Sequence, residues 1–210
     1  AGRQQGLVLA EKQIQAAEQA LRAKASILTG GPGTGKTSTL RTVITALEQA
    51  QISFCLCAPT GRAAKRAAET TGRPASTIHR LLQYQPSSHL FSYDRSRPLP
   101  YDFVIVDEVS MLDILLFYHL LKAIAPESHL LLVGDADQLP AVGPGNVLRD
   151  LINSETIPTT RLTDLFRQAR GSQIVVAAHA INSGCIPEID NGPNSDLYFV
   201  QTGDETKAVE

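Results

Sequence analysis

Cysteine is scarce in this 210-residue chain, with three residues, an odd number. That excludes a secreted disulfide framework and fits a reducing compartment. Positive charge is not in excess. Nineteen Lys and Arg face 21 Asp and Glu, for a formal charge of −2, which argues against a histone-like binder that relies on bulk charge. Long apolar runs are missing too. The longest, 103–125, is interrupted by Asp107, Glu108 and Asp113, so no segment is expected to span a membrane. Residues 1–10 lack the apolar core and cleavage pattern of a signal peptide. Cytoplasmic localisation is therefore expected. The 15 Gly follow no period and no heptads are sustained, which excludes collagen-like and coiled-coil chains. An apolar fraction of 43% with 19% charged residues excludes a mostly disordered chain. The length suits one domain, 1–210.

The few charges present are unevenly placed. Span 61–80 holds five basic residues (Arg62, Lys65, Arg66, Arg73, Arg80) and one acid, Glu69. The segment 186–210 is acidic, with six acids and one Lys. Apolar periodicity predicts helices over 9–24, 36–49, 60–70, 76–82, 112–125, 146–153 and 173–182. The first of these rests on Ile14, Ala17 and Leu21, and 1–24 is the leading segment. Strands are expected over 27–29, 52–58, 103–106, 129–133, 160–162 and 196–201. Such alternation is the pattern of an α/β fold, a parallel sheet with helices on both faces. The stretch 84–100 reads as a short irregular insertion, with 90–93 as half of a small hairpin.

Gly30-Gly31-Pro32-Gly33-Thr34-Gly35-Lys36-Thr37 fits G-x-x-x-x-G-K-[ST] at every constrained position. It follows an expected strand and opens an expected helix. Glycines let backbone N–H groups converge on an anion, and the helix N-terminus adds a favourable dipole. Lys36 is suited to the β- and γ-phosphates of ATP, and the Thr37 hydroxyl to Mg²⁺. Ser38 completes the nucleotide-binding set. The bland alternative is a Gly-rich turn with a solvated lysine, and both the full match and its context count against it.

Asp107 and Glu108 stand where the apolar strand 103–106 ends. In open α/β sheets ligands bind outside the carboxyl ends of strands. Asp107 is thus suited to Mg²⁺, directly or through water, and Glu108 to polarising the attacking water. Alone, such a pair is equally well an ordinary helix N-terminal charge. About 70 residues after a phosphate loop, it reads as functional. D-x-x-G and N-K-x-D loops are absent, which argues against a GTPase. An S-G-G-Q signature is also absent, which argues against an ABC cassette. Cys55 and Cys57 alternate on one strand and read as core, because no second pair has metal-ligand spacing. Cys185, His89, His119, His129 and His179 have no partner pattern.

Taken in order, the blocks resemble superfamily 1 helicases, most closely the RecD-like group. They are Gln13, the phosphate loop, Ala58-Pro59-Thr60-Gly61-Arg62-Ala63-Ala64, Thr77-Ile78-His79-Arg80-Leu81-Leu82, Val106-Asp107-Glu108-Val109-Ser110-Met111, Val133-Gly134-Asp135-Ala136-Asp137-Gln138-Leu139-Pro140, and Leu162-Thr163-Asp164-Leu165-Phe166-Arg167-Gln168. The resemblance implies a P-loop NTPase domain with a RecA-like sheet. It implies that Gln13 reads adenine, Gln138 senses the γ-phosphate, and Arg167 neutralises charge developing there. Asp135 resembles the family's acid in its block. Pro59, Thr60, Gly61, Arg62, Thr77, His79 and Arg80 resemble the DNA-contacting segments. The implied activity is a DNA helicase motor that couples Mg-ATP hydrolysis to 5′-to-3′ movement on single-stranded DNA, in repair or recombination. The implied partners are a second RecA-like domain of the same parent chain, beyond 186–210, and subunits of a nuclease/helicase complex. In related helicases an insertion near 84–100 acts as a strand-separating pin; here a plain connecting loop fits as well. A regulatory ATP-binding module and another P-loop enzyme, such as a kinase, are the competing readings.

Overall fold

The computed structural model describes residues 9–164, 172–193 and 195–200. Its backbone packs as two compact units. One comprises the chain up to Thr163 apart from Pro32–Thr34; the other comprises Pro32–Thr34 and the chain from Asp164.

The first unit begins with α1 (Glu11–Arg22) and β1 (Ala25–Gly30), then α2 (Lys36–Gln49) and β2 (Phe54–Ala58). Next come α3 (Gly61–Thr71), β3 (Ala75–Thr77), the single-turn α4 (Ile78–Leu81), β4 (Tyr84–Gln85) and β5 (Leu90–Phe91). It continues through β6 (Phe103–Val106), α5 (Ile114–Ala123), β7 (His129–Gly134), α6 (Val147–Asn153) and β8 (Thr159–Leu162). Six strands form one sheet in the order β3-β2-β6-β7-β1-β8, every pair parallel.

The central strands β6 and β7 are apolar apart from His129 at the start of β7, because both faces are covered. Val104, Val106, Leu130 and Leu132 pack with Leu116, Phe117 and Leu120 of α5 and Leu148 of α6. Their alternates Phe103, Ile105, Leu131 and Val133 pack with α1 and α2, through Ala16, Ala20, Leu40, Val43 and Leu47. Each such Leu or Ile contributes about 1.5–3 kcal/mol by leaving water.

The helix expected over 9–24 is present as α1, which buries Gln13, Ala16, Ala17 and Ala20 and packs Leu21 against the core while Ile14 is 46% exposed. Three expectations change. The stretch 76–82 is not one helix. Ala75–Thr77 joins the sheet beside β2, and Thr77 then caps α4, its Oγ1 accepting from Arg80 N at 3.1 Å. The helix expected from 112 begins at Ile114, after a 3₁₀ turn over Val109–Met111, because Asp113 caps it by accepting from Leu116 N at 2.8 Å. Residues 196–200 form no strand. Asp196 instead caps α7 (Gln173–Asn182) in the second unit, accepting from Gln173 N at 2.7 Å. The expected hairpin is present as β4 paired antiparallel with β5.

Cys55 and Cys57 are buried on β2, and Cys57 Sγ lies 3.4 Å from Ile105 O. Burial pushes the Cys55 thiol up to about 12 and raises Cys57 as well. Cys185 is exposed. Among the described residues no helix is long and apolar enough to cross a membrane.

Candidate active site

Because all six strands run parallel, their carboxyl ends share one edge. Adjacent strands β6, β7 and β1 deliver the acid pair, the Asp135–Gln138 turn and Lys36 to that edge side by side. The chain leaves β1 for β2 in one direction, and leaves β7 for β8 across β1 in the other. Ligand sites form where strand order reverses in this way.

Gly33 and Gly35 turn the loop after β1 with φ of 74° and 90°. L side chains avoid that region, so glycine is required. Lys36 then starts α2, and its ammonium donates to the carbonyls of Gly30 and of Gly31, the latter at 3.0 Å. Burial lowers the Lys36 ammonium below its ordinary value, while Asp135, Glu108 and Asp107 oppose that shift. Thr37 is exposed and Ser38 half-buried.

Asp107 N donates to Cys57 O at 2.9 Å, which ties the end of β6 to that of β2. Burial pushes the Asp107 carboxyl up to about 6, although it accepts from Glu108 N at 2.9 Å. Glu108 adopts the left-handed region with φ 55°, a strained setting for a non-glycine residue. Its Oε1 lies 3.4 Å from Arg66 Nη1.

Asp135 is 3% exposed and accepts from Asp137 N at 3.0 Å. Gln138 N donates to Asp135 O at 3.2 Å, and Gln138 Oε1 accepts from Ser110 Oγ at 3.2 Å. The Gln138 turn is thus joined to the turn after Glu108. A Cβ on Gly134 would stand 2.8 Å from Leu148 Cδ2 and 3.2 Å from Ser110 N. A side chain there would require Leu148 to shift and the backbone at Ser110 to give by a few tenths of an ångström.

Gln13 is 1% exposed, and its amide is engaged at both ends. Oε1 accepts from Ala10 N at 2.9 Å, and Nε2 donates to Gly35 O at 3.1 Å. It joins α1 to the phosphate loop.

Ala58 and Thr77 are paired residues of β2 and β3, so 59–62 and 77–80 emerge together. Thr60 Oγ1 caps α3 by accepting from Ala63 N at 3.2 Å. Gly61, Arg62, His79 and Arg80 are exposed, while Pro59 and Thr77 are half-buried. His79 also lies against the hairpin aromatics, 5.4 Å from Tyr84 and 5.8 Å from Phe91 between ring centroids. Pro32, Gly33 and Thr34 group with the second unit, and Arg167 lies outside the described residues.

Sequence reasoning assigned no role to Ser110, Arg66 or the Arg161–Asp137 ion pair, whose Nη2–Oδ2 distance is 2.6 Å. Ser110 stands inside the stretch 106–111 and Arg66 inside the basic span 61–80, but their partners are 28 and 42 residues away.

The ammonium, carboxylates and amide at this edge suit a known type of domain. The AAA domain family model matches residues 13–144. An ATP-dependent RecD2 DNA helicase of Deinococcus radiodurans is 45% identical over 179 residues, covering 85% of this chain and 24% of the relative. A RecBCD enzyme subunit RecD of Mycobacterium tuberculosis is 38% identical over 199 residues, covering 83% and 34%. The chain thus spans about a quarter to a third of the length of these relatives. The Pif1 helicase structure from Candida albicans shares the fold, with a TM-score of 0.62 and 23% identity over 87% of this chain and 46% of that one. The chain belongs to the AAA domain family and is similar to the RecD2 and RecD proteins over most of its length.

Proposed function

We propose that residues 1–210 are one RecA-like motor domain of an ATP-dependent DNA helicase. The observation that carries this reading is one sheet edge holding Lys36, Asp107, Glu108 and Gln138, with the two segments 59–62 and 77–80 emerging from the neighbouring strands β2 and β3. The site fits Mg-ATP. A buried ammonium on loop carbonyls can exchange them for phosphate oxygens, and a carboxylate pushed up to about 6 by burial gains from a cation. Residues 30–38 would hold the nucleotide, Lys36 its β- and γ-phosphates, and Thr37 and Asp107 the Mg²⁺. When bound, Mg-ATP supplies the phosphoryl group and its charge neutralisation. Glu108 accepts the proton of the attacking water. Gln138 reports the γ-phosphate to the turn after β6 through Ser110. Gln13, anchored on Gly35, holds the loop and offers the adenine contact that the resemblance implies. Arg167 completes the charge stabilisation.

Single-stranded DNA is the substrate track, contacted by Pro59, Thr60, Gly61, Arg62, Thr77, His79 and Arg80 through its phosphates. Movement 5′ to 3′, a repair or recombination role, a second RecA-like domain in the parent chain and partners in a nuclease/helicase complex rest on the resemblance. With one wall of the nucleotide cleft, the chain alone binds ATP weakly and hydrolyses it slowly. Hydrolysis measured with single-stranded DNA and with small phosphate acceptors tests the reading. Stimulation by DNA alone supports it, and stimulation by a small acceptor points to a kinase. Lys36→Ala abolishes nucleotide binding. Glu108→Gln keeps binding and loses hydrolysis; normal hydrolysis by that variant sinks the assignment of Glu108.

A further inference from the structure

Helix α3 carries Arg62 in its first turn and Arg66 one turn later, so the two lie on one face. Arg66 belongs neither to the hydrolytic set nor to the DNA-contacting set above, yet it pairs with Glu108 at 3.4 Å. Topology makes the pairing: β2 and β6 are neighbours with Cys57 opposite Val106, so the helix that leaves β2 runs beside the acid pair that leaves β6. The arginine side chain is 73% exposed and the glutamate 20%. A pair this open is weak and is readily exchanged. Guanidinium groups bind carboxylates and phosphates with the same fork of donors. A DNA phosphate on the face carrying Arg62 is one turn away from it.

We propose that Arg66 is a positioning residue for Glu108, shared between the Glu108 carboxylate and a phosphate of single-stranded DNA. Without DNA it holds the carboxylate to α3. With DNA bound it turns to the phosphate and releases Glu108 toward water. This rests on the motor reading of the preceding subsection and adds to it a direct electrostatic link between track and base.

Linkage makes the exchange measurable from the DNA side, because whatever removes Glu108 from Arg66 strengthens the phosphate contact. Binding of a labelled oligothymidylate to this chain, followed by fluorescence anisotropy at low salt, provides the readout. Glu108→Gln tightens binding about two- to fivefold, the range for one exposed ion pair. In an Arg66→Ala background Glu108→Gln changes nothing, and Arg66→Lys restores part of the effect. Lys65→Ala, one residue along and paired with Glu69, leaves the tightening whole. An undiminished gain in the Arg66→Ala background marks a general loss of negative charge and overturns the proposal. So does unchanged binding by Glu108→Gln. If the unaltered chain binds no oligothymidylate, the motor reading fails and this inference fails with it, a pattern distinct from binding without coupling.

Discussion

Asp107 is held ionised at a cost. Its folded value, about 6, lies above the ordinary carboxylate range because of burial. Folding therefore takes up protons between about pH 4 and 6, and the contribution of this group to stability falls as pH rises through that window. Asp107→Asn removes the charge, so it raises thermal stability at pH 7.5, by about 2–3 kcal/mol at most, and the gain disappears toward pH 4. Melting curves at the two pH values check this. Gln13 makes the opposite case. Truncation to Ala orphans the Ala10 amide and Gly35 carbonyl contacts, at a cost of about 1–3 kcal/mol. A lower melting temperature together with weaker nucleotide binding is expected, whereas a residue that only met adenine would leave the melting temperature of the free chain unchanged. Lys36, Asp107 and Glu108 were readable in the sequence because each sits in a short block whose spacing states its chemistry. The partners of Gln13, Ser110 and Arg66 were not, since those contacts join distant blocks and depend on strand order.

Helix α3 is fixed at its start by one side chain. Thr60→Ala removes the acceptor for Ala63 N and costs about 1 kcal/mol of stability, measurable by denaturant unfolding. The end of β7 depends on having no side chain. Gly134→Ala drives a methyl group against Leu148 and the backbone of Ser110. The expected loss is about 1–3 kcal/mol, accompanied by reduced hydrolysis, because the turn bearing Gln138 is displaced. A hydrolysis rate unaffected by that displacement argues against the Ser110–Gln138 link. At this scale the long helices and buried strands were readable from periodicity: Lys36–Gln49, Phe103–Val106 and Gln173–Asn182 stand as expected. The misreadings have specific causes. Residues 75–77 are too short to show a period and were absorbed into the helix after them. In α1 the buried face is made of alanines and a glutamine, so apolar spacing shows the helix but not that Gln13 enters the core. The Asp196 stretch has strand-like composition but serves as a cap.

A net charge of −2 does not prevent phosphate binding when the basic residues are gathered where two neighbouring strands end. Under the proposed reading, affinity for single-stranded DNA is expected to be local and strongly salt-dependent. Arg62→Ala weakens it and lowers the salt slope by about one, measured by titration over a range of salt; an unchanged slope removes Arg62 from the track. The parallel order of the sheet was foreseeable from strand–helix alternation, but which strands are neighbours was not, and neighbourhood is what assembles the edge. The three cysteines carry a practical consequence. Two are sealed between strands with their thiols held protonated, and the third, Cys185, stands open in the second unit. A maleimide dye added to the folded chain near neutral pH attaches at that one position. The protein thus has a native attachment point for a single fluorophore, whose emission reports on the surroundings of Cys185 without engineering cysteines away.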